Sequence, residues 1–243
     1  MWQIFGKEIK GFFSSLTGYV VIVVFLTMNS LFMWVFPGQM NVLETGYATL
    51  ESLFALAPWA FLFLVPAITM RMFAEEKRMG TLELLYVRPV TELQIVLAKF
   101  LASWCLVLLS LIPTLVFFWS VYQLGSPPGN IDIGGTWGSY IGLFFLGGIY
   151  TAIGIFASAI TDNQIVAFIA GVLISFMLYL GFDFIGGLAG SGHLNLLISR
   201  LGIDYHYNSI SRGVLDSRDL FYFLGVILLF LMSTRLILQK NKW

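Results

Sequence analysis

The stretch RMFAEEKRMGTLELLYVRPVTELQIVLAKF, residues 71–100, holds the densest run of charge in this chain. The 243 residues around and including it are 58% hydrophobic and only 11% charged. A soluble domain carries about 25% charged residues. The mean hydropathy of +0.88 therefore places the chain in a bilayer. Long apolar segments flank the stretch on both sides, so its polar residues belong to a connection between two membrane-crossing helices.

A spanning helix needs about 20 mostly apolar residues. Outward from the charged stretch, six segments qualify: 18–36, 52–70, 100–122, 137–160, 165–187 and 220–238. Pro58, Pro66 and Pro113 fall inside them, and neighbouring helices in lipid can re-satisfy the carbonyls that a proline frees. The predicted fold is an all-α integral membrane protein, a single domain over 1–243 with a long loop at 188–219. Ahead of the first span, Trp2, Phe5, Ile9, Phe12 and Leu16 repeat at helical spacing while Lys7, Lys10 and Ser14 lie mainly off that face. Residues 2–16 thus read as an amphipathic helix lying in the membrane interface, or as a simple extension of the first span.

Six spans put both termini on one side. That side holds Lys7, Lys10, Arg71, Lys77, Arg78, Arg88, Lys99, Arg235, Lys240 and Lys242, ten of the thirteen basic residues. The other side holds Arg200, Arg212 and Arg218. The positive-inside rule makes the termini and the 71–99 loop cytoplasmic and the 188–219 loop extracytoplasmic.

Several function classes fall away. Net charge is zero, which gives nucleic acid no electrostatic footprint. Cys105 is the single cysteine, and His193 and His206 are the two histidines, so neither a disulfide framework nor a metal cluster is expected. The spans hold no histidine and almost no carboxylate, against an intramembrane enzyme. No G-x-x-x-x-G-K-[ST] phosphate loop occurs, so any ATP hydrolysis falls to a separate chain and no cofactor is expected in this one.

Within the charged loop, Glu75, Glu76, Lys77 and Arg78 cover the inner end of the second span. Gly80 tolerates the left-handed conformation that ends a helix. Thr81 can cap a new short helix, with Glu83 complementing its dipole and Leu82, Leu85 and Tyr86 forming an apolar face. Pro89 forces a stop. Thr91 to Gln94 fits a capping box that starts the helix running through Lys99 into the third span. A short helix presented this way fits a groove on a soluble partner. The same charges and breakers also make a compact turn that only satisfies topology.

The residues EEKRMGTLELLYVRPV and the following LAKFL resemble the cytoplasmic coupling segment of the ABC-2 family of ABC transporter permeases. The resemblance rests on Glu76, Gly80, Thr81, Leu82, Glu83, Pro89 and Lys99. It implies a six-span permease with an interfacial N-terminal helix, coupled to a separate homodimeric ATPase that binds the ATP. It also implies pairing with a second permease chain, identical or related. Residues 206–238 are similar to the end of the gliding-motility ABC permease subunit of Bacteroidetes, through Tyr207, Arg212 with Gly213, and Asp216 with Asp219. That narrower resemblance implies a partner permease carrying a large extra-membrane domain. The expected function is an exporter subunit, with a non-transporting membrane anchor of a motility or secretion machine as the alternative.

On physical grounds alone, Asp216 can cap the last span and Asp219 favours its dipole. Asp183 reads as interfacial and Asp162 as a turn residue. The 188–219 loop contains LNLLISRLGI, suited to a short helix dipping back towards the bilayer. Gly148 to Ala152, Gly154 to Ser158 and Gly186 to Gly190 have the spacing of close helix packing, read first as packing within the chain.

Overall fold

A computed structural model describes residues 1–83, 90–188, 192–213 and 216–240. Among these residues the regular structure is entirely helical. Helix α1 spans Trp2–Ser14 and α2 spans Leu16–Val35. A single turn, α3, covers Val42–Thr45. The long helices follow as α4, Glu51–Arg78; α5, Glu92–Leu124; α6, Ile133–Ile160; and α7, Gln164–Leu188. Two short helices, α8 (His193–Ser199) and α9 (Ile203–Ser211), lead to α10, Ser217–Lys240. Six of these, α2, α4, α5, α6, α7 and α10, are long and apolar enough to cross a membrane.

Helices α5, α6, α7 and α10 begin ahead of the apolar windows that mark them in the sequence, because each starts at a polar cap. Thr91 and Gln94 form the expected reciprocal capping box. Asp132 accepts from the Gly135 N–H at the start of α6, and Asn163 from the Ile165 N–H at the start of α7. Asp216 accepts from the Arg218 N–H at the start of α10.

The N-terminal helix departs from expectation in two ways. It ends at Ser14, since Ser15 is extended (φ −107°, ψ 155°), and Leu16 belongs to α2. Its inward stripe is Ile4, Glu8 and Phe12 at four-residue spacing, whereas Trp2 is exposed.

Helix α6 is the hub. In its most apolar window 78% of residues are buried, against 28% in α2 and 22% in α7 and in α10. Its small residues explain the position, because they let other backbones approach. A Cβ on Gly154 would sit 2.0 Å from Thr69 Oγ1 of α4. One on Gly147 would meet Val107 of α5 at 2.5 Å, and one on Gly148 would meet Trp104 of α5 and Ile227 of α10. Trp104 stacks on Phe144 with ring centroids 4.3 Å apart and donates to the Phe144 carbonyl at 2.8 Å. Gly186 faces Asn195 and Ser199 of α8. Gly148, Gly154 and Gly186 therefore pack within the chain, while Gly190 lies outside the described residues.

Pro58 and Pro66 sit inside α4, whose regular turn is interrupted at Met70. Ser158 of α6 bridges the interruption. Its hydroxyl accepts from the N–H groups of Phe73 and Ala74, both at 3.0 Å, and donates to the Met70 carbonyl at 2.7 Å. One side chain thus satisfies backbone groups that a broken helix would leave unpaired.

Candidate functional site

At the end of the bundle that carries both termini, α1 lies across the ends of α4 and α5. Lys99 of α5 is 1% exposed, and its ammonium is the centre of a charged knot. Lys99 Nζ donates to Glu8 Oε1 of α1 at 2.8 Å and to the Met72 carbonyl of α4 at 2.8 Å. Glu76 Oε2 of α4 lies 3.0 Å from the same nitrogen, close enough to pair as a charge but outside hydrogen-bond alignment. Lys7 reaches Glu76 Oε1 at 3.1 Å from the solvent side. Arg71 adds a second fastening, donating to Ser15 Oγ at 3.1 Å and lying over the Phe12 ring. Burying an ammonium is costly unless it is paired and hydrogen-bonded, and the two carboxylates and the carbonyl meet that need. The result fixes three chain segments, α1, α4 and α5, to one another, beside a cavity of about 220 Å³.

Beyond the knot, α4 ends in a Schellman motif. The Gly80 N–H donates to the Lys77 carbonyl at 3.1 Å and the Thr81 N–H to the Glu76 carbonyl at 2.9 Å. Gly80 adopts φ +67° there, the conformation that glycine takes at little cost. Lys77 donates to the Ala159 carbonyl at the end of α6, so the motif is also tied to the hub. Leu82 is buried and Glu83 exposed, both helical. Tyr86, Pro89 and Leu85 lie outside the described residues. Glu76 and Lys99 are thus in contact with each other, and Gly80 to Glu83 project from the same helix end.

Glu8 was not singled out in the sequence. Its signal is an acid midway between Ile4 and Phe12, four residues from each, which puts a carboxylate inside an apolar stripe. Ser158 likewise carries no sequence signal beyond its small size.

The opposite end has its own polar organisation. Gly213 has φ +82°, and a Cβ there would sit 2.9 Å from Gly135 Cα, so the Arg212–Gly213 pair makes a turn packed directly on the start of α6. Asp219, expected to favour the helix dipole, is buried and meets His206 Nδ1 at 2.6 Å. His206 Nε2 meets the Arg200 carbonyl at 2.8 Å. Both ring nitrogens of His206 thus have an oxygen within hydrogen-bond distance. The ring also stacks on Tyr222 at 3.9 Å. Asp204 lies near Asp183 and Tyr179, and burial is the main cause that raises its carboxyl above the ordinary aspartate value. Burial likewise holds the Tyr207 phenol well above its usual range, and its hydroxyl donates to the Phe54 carbonyl at 2.8 Å.

Among the described residues no cluster of three or more histidine, cysteine or acidic side chains could hold a metal ion. At the termini end, the described residues tie α1, α4 and α5 together through ion pairs and hydrogen bonds. The family model described as ABC-2 family transporter protein matches residues 7–196. No curated protein matches the chain. The matched segment contains every residue of the knot, from Lys7 to Lys99, and it ends before the 206–238 stretch.

Proposed function

The chain belongs to the ABC-2 family of transporter proteins, and on that premise we propose that it is the permease subunit of an ATP-driven exporter, coupled through residues 76–89 to a separate ATPase. A multi-pass membrane protein of this family works with an ABC ATPase partner. The observation that carries the coupling reading is the knot centred on Lys99. It joins α1, α4 and α5 into one unit immediately behind the Gly80 turn. A push on the exposed Glu83 then moves three elements together, since a buried ion pair and a Schellman turn leave little local slack.

In this reading the termini end faces the cytoplasm of a bacterial inner membrane, α1 lies at the interface, and ATP is bound by a homodimer of the partner. A second permease, identical or related and carrying a large extra-membrane domain, completes the pathway. The similarity of residues 206–238 to the gliding-motility permease supports a motility machine as the setting. Arg212, Gly213, Asp216 and Asp219 in that segment also have local duties as turn, cap and hydrogen-bond partner of His206.

Glu83→Arg tests the reading. The variant should insert normally, because Glu83 is exposed, yet lose most of the ATP hydrolysis stimulated by the permease in a reconstituted complex. An ATPase that co-purifies with and responds equally to both proteins would remove Glu83 from coupling. If no ATPase accompanies the wild type, the non-transporting anchor becomes the better account.

A further inference from the structure

The end of the bundle opposite the termini contains a cavity of about 520 Å³ between the start of α4, the start of α6, and α9. That volume falls within the range of about 300–1,000 Å³ typical of ligand pockets. The directions of its hydroxyl protons define its chemistry. Tyr207 donates to the Phe54 carbonyl at 2.8 Å, Thr136 to the Asp132 carbonyl at 2.6 Å, and Ser139 to the Ser211 carbonyl at 2.9 Å. All three residues are buried, and all three line the cavity. Their protons are committed to the backbone, so they offer the cavity lone pairs only. Asn208 uses one of its two amide N–H groups on Asp204 Oδ2 at 2.7 Å and keeps its amide oxygen as an acceptor. Glu51 and Asp132 add carboxylates at the wall.

Acceptors therefore dominate the lining, and the donors are few and localised. Arg212 lines the cavity and is exposed. The N-terminus of α4 enters it at Leu50 and Glu51, and Glu51 is the acid of that first turn. An acceptor-rich wall wants an N–H-bearing cation, and the guanidinium on the same lining wants an anion.

We propose that this cavity binds a small zwitterion, a primary ammonium carried a few bonds from a phosphate or similar anionic group. The ammonium donates to Glu51 and the committed hydroxyls, and the anion meets Arg212. Such a group exists both as the headgroup of an aminophospholipid and as a free soluble phosphoamine. The site requires neither the ATPase nor the coupling segment, so its failure and that of the exporter reading are separable.

The test is calorimetric titration of the full chain in nanodiscs of phosphatidylglycerol, which contain no ammonium. The ligands are O-phosphoethanolamine, ethanolamine, ethyl phosphate and lysophosphatidylethanolamine. O-phosphoethanolamine should bind saturably, with each half-ligand weaker by about tenfold or more, as expected when one charge-assisted contact set is lost. Glu51→Gln should weaken O-phosphoethanolamine and ethanolamine and spare ethyl phosphate, while Arg212→Gln should do the reverse. Binding of the lysolipid but not of the free phosphoamine would identify a lipid headgroup as the source. Binding of both makes a soluble zwitterion sufficient. Equal affinity for ethyl phosphate and O-phosphoethanolamine, or no binding of either ammonium-bearing phosphate by the wild type, would overturn the proposal.

Discussion

Lys99→Met keeps the apolar stem of the side chain and removes only its charge. In the wild type that ammonium is 1% exposed, holds Glu8 and Glu76 at 2.8 and 3.0 Å, and donates to the Met72 carbonyl. Without it, two carboxylates face each other across a largely dry junction. Lys7 cannot substitute, because its side chain is 65% exposed and a solvent-side pair contributes about 0–1 kcal/mol. Removing one partner from a buried ionic cluster costs about 3–5 kcal/mol. For a chain of this size each kcal/mol moves the melting temperature by about 2–4 °C, which gives an expected fall of about 6–20 °C. The measurement is thermal unfolding in detergent followed by tryptophan fluorescence at a fixed heating rate. Adding Glu8→Gln to Lys99→Met relieves one stranded acid, so the double variant should recover part of the loss, with a coupling of about 0.5–3 kcal/mol. A melting temperature for Lys99→Met indistinguishable from the wild type, or strictly additive effects in the pair, would show that the knot does not hold α1 to the bundle.

Two further outcomes follow from the packing and from the opposite end. Gly154→Ala places a Cβ 2.0 Å from Thr69 Oγ1, so it should cost about 1–3 kcal/mol, and Thr69→Ala in the same chain should return part of that in the same unfolding assay. Asp204 has its folded-state carboxyl raised, chiefly by burial, so the folded protein binds the proton more tightly than the unfolded chain. Its contribution to stability is therefore greatest at low pH. It declines as pH rises from the ordinary aspartate value through the raised one. Asp204→Asn should flatten that decline, and unfolding series across acidic pH for the two proteins should converge at the acid end and separate above it. Parallel series would show that Asp204 does not titrate differently on folding.

Position along the chain and composition determined a good deal. Runs of apolar residues in lipid admit few structures other than helices, because every backbone N–H and C=O must find its partner within the segment. Hence six long helices, and caps such as Thr91 with Gln94, were legible in local sequence. Gly80 was legible as a helix end for the same reason, since a left-handed residue after a charged last turn is a local event. The family resemblance came from that same short stretch.

Tertiary structure alone decided which of these residues meet. Glu8 and Lys99 are 91 positions apart, and nothing local says that an acid in the first helix turns inward to a lysine in the third span. Asp219 was readable as a first-turn acid, but its pairing with His206 depends on how α9 lies against α10. The hub role of α6 likewise depends on what faces its glycines, because small residues permit close approach without specifying the neighbour. Hydrophobic burial and helix propensity act over a few residues and read out in order. Ion pairs, cavities and backbone contacts act through space, and they exist only once the helices have chosen their neighbours.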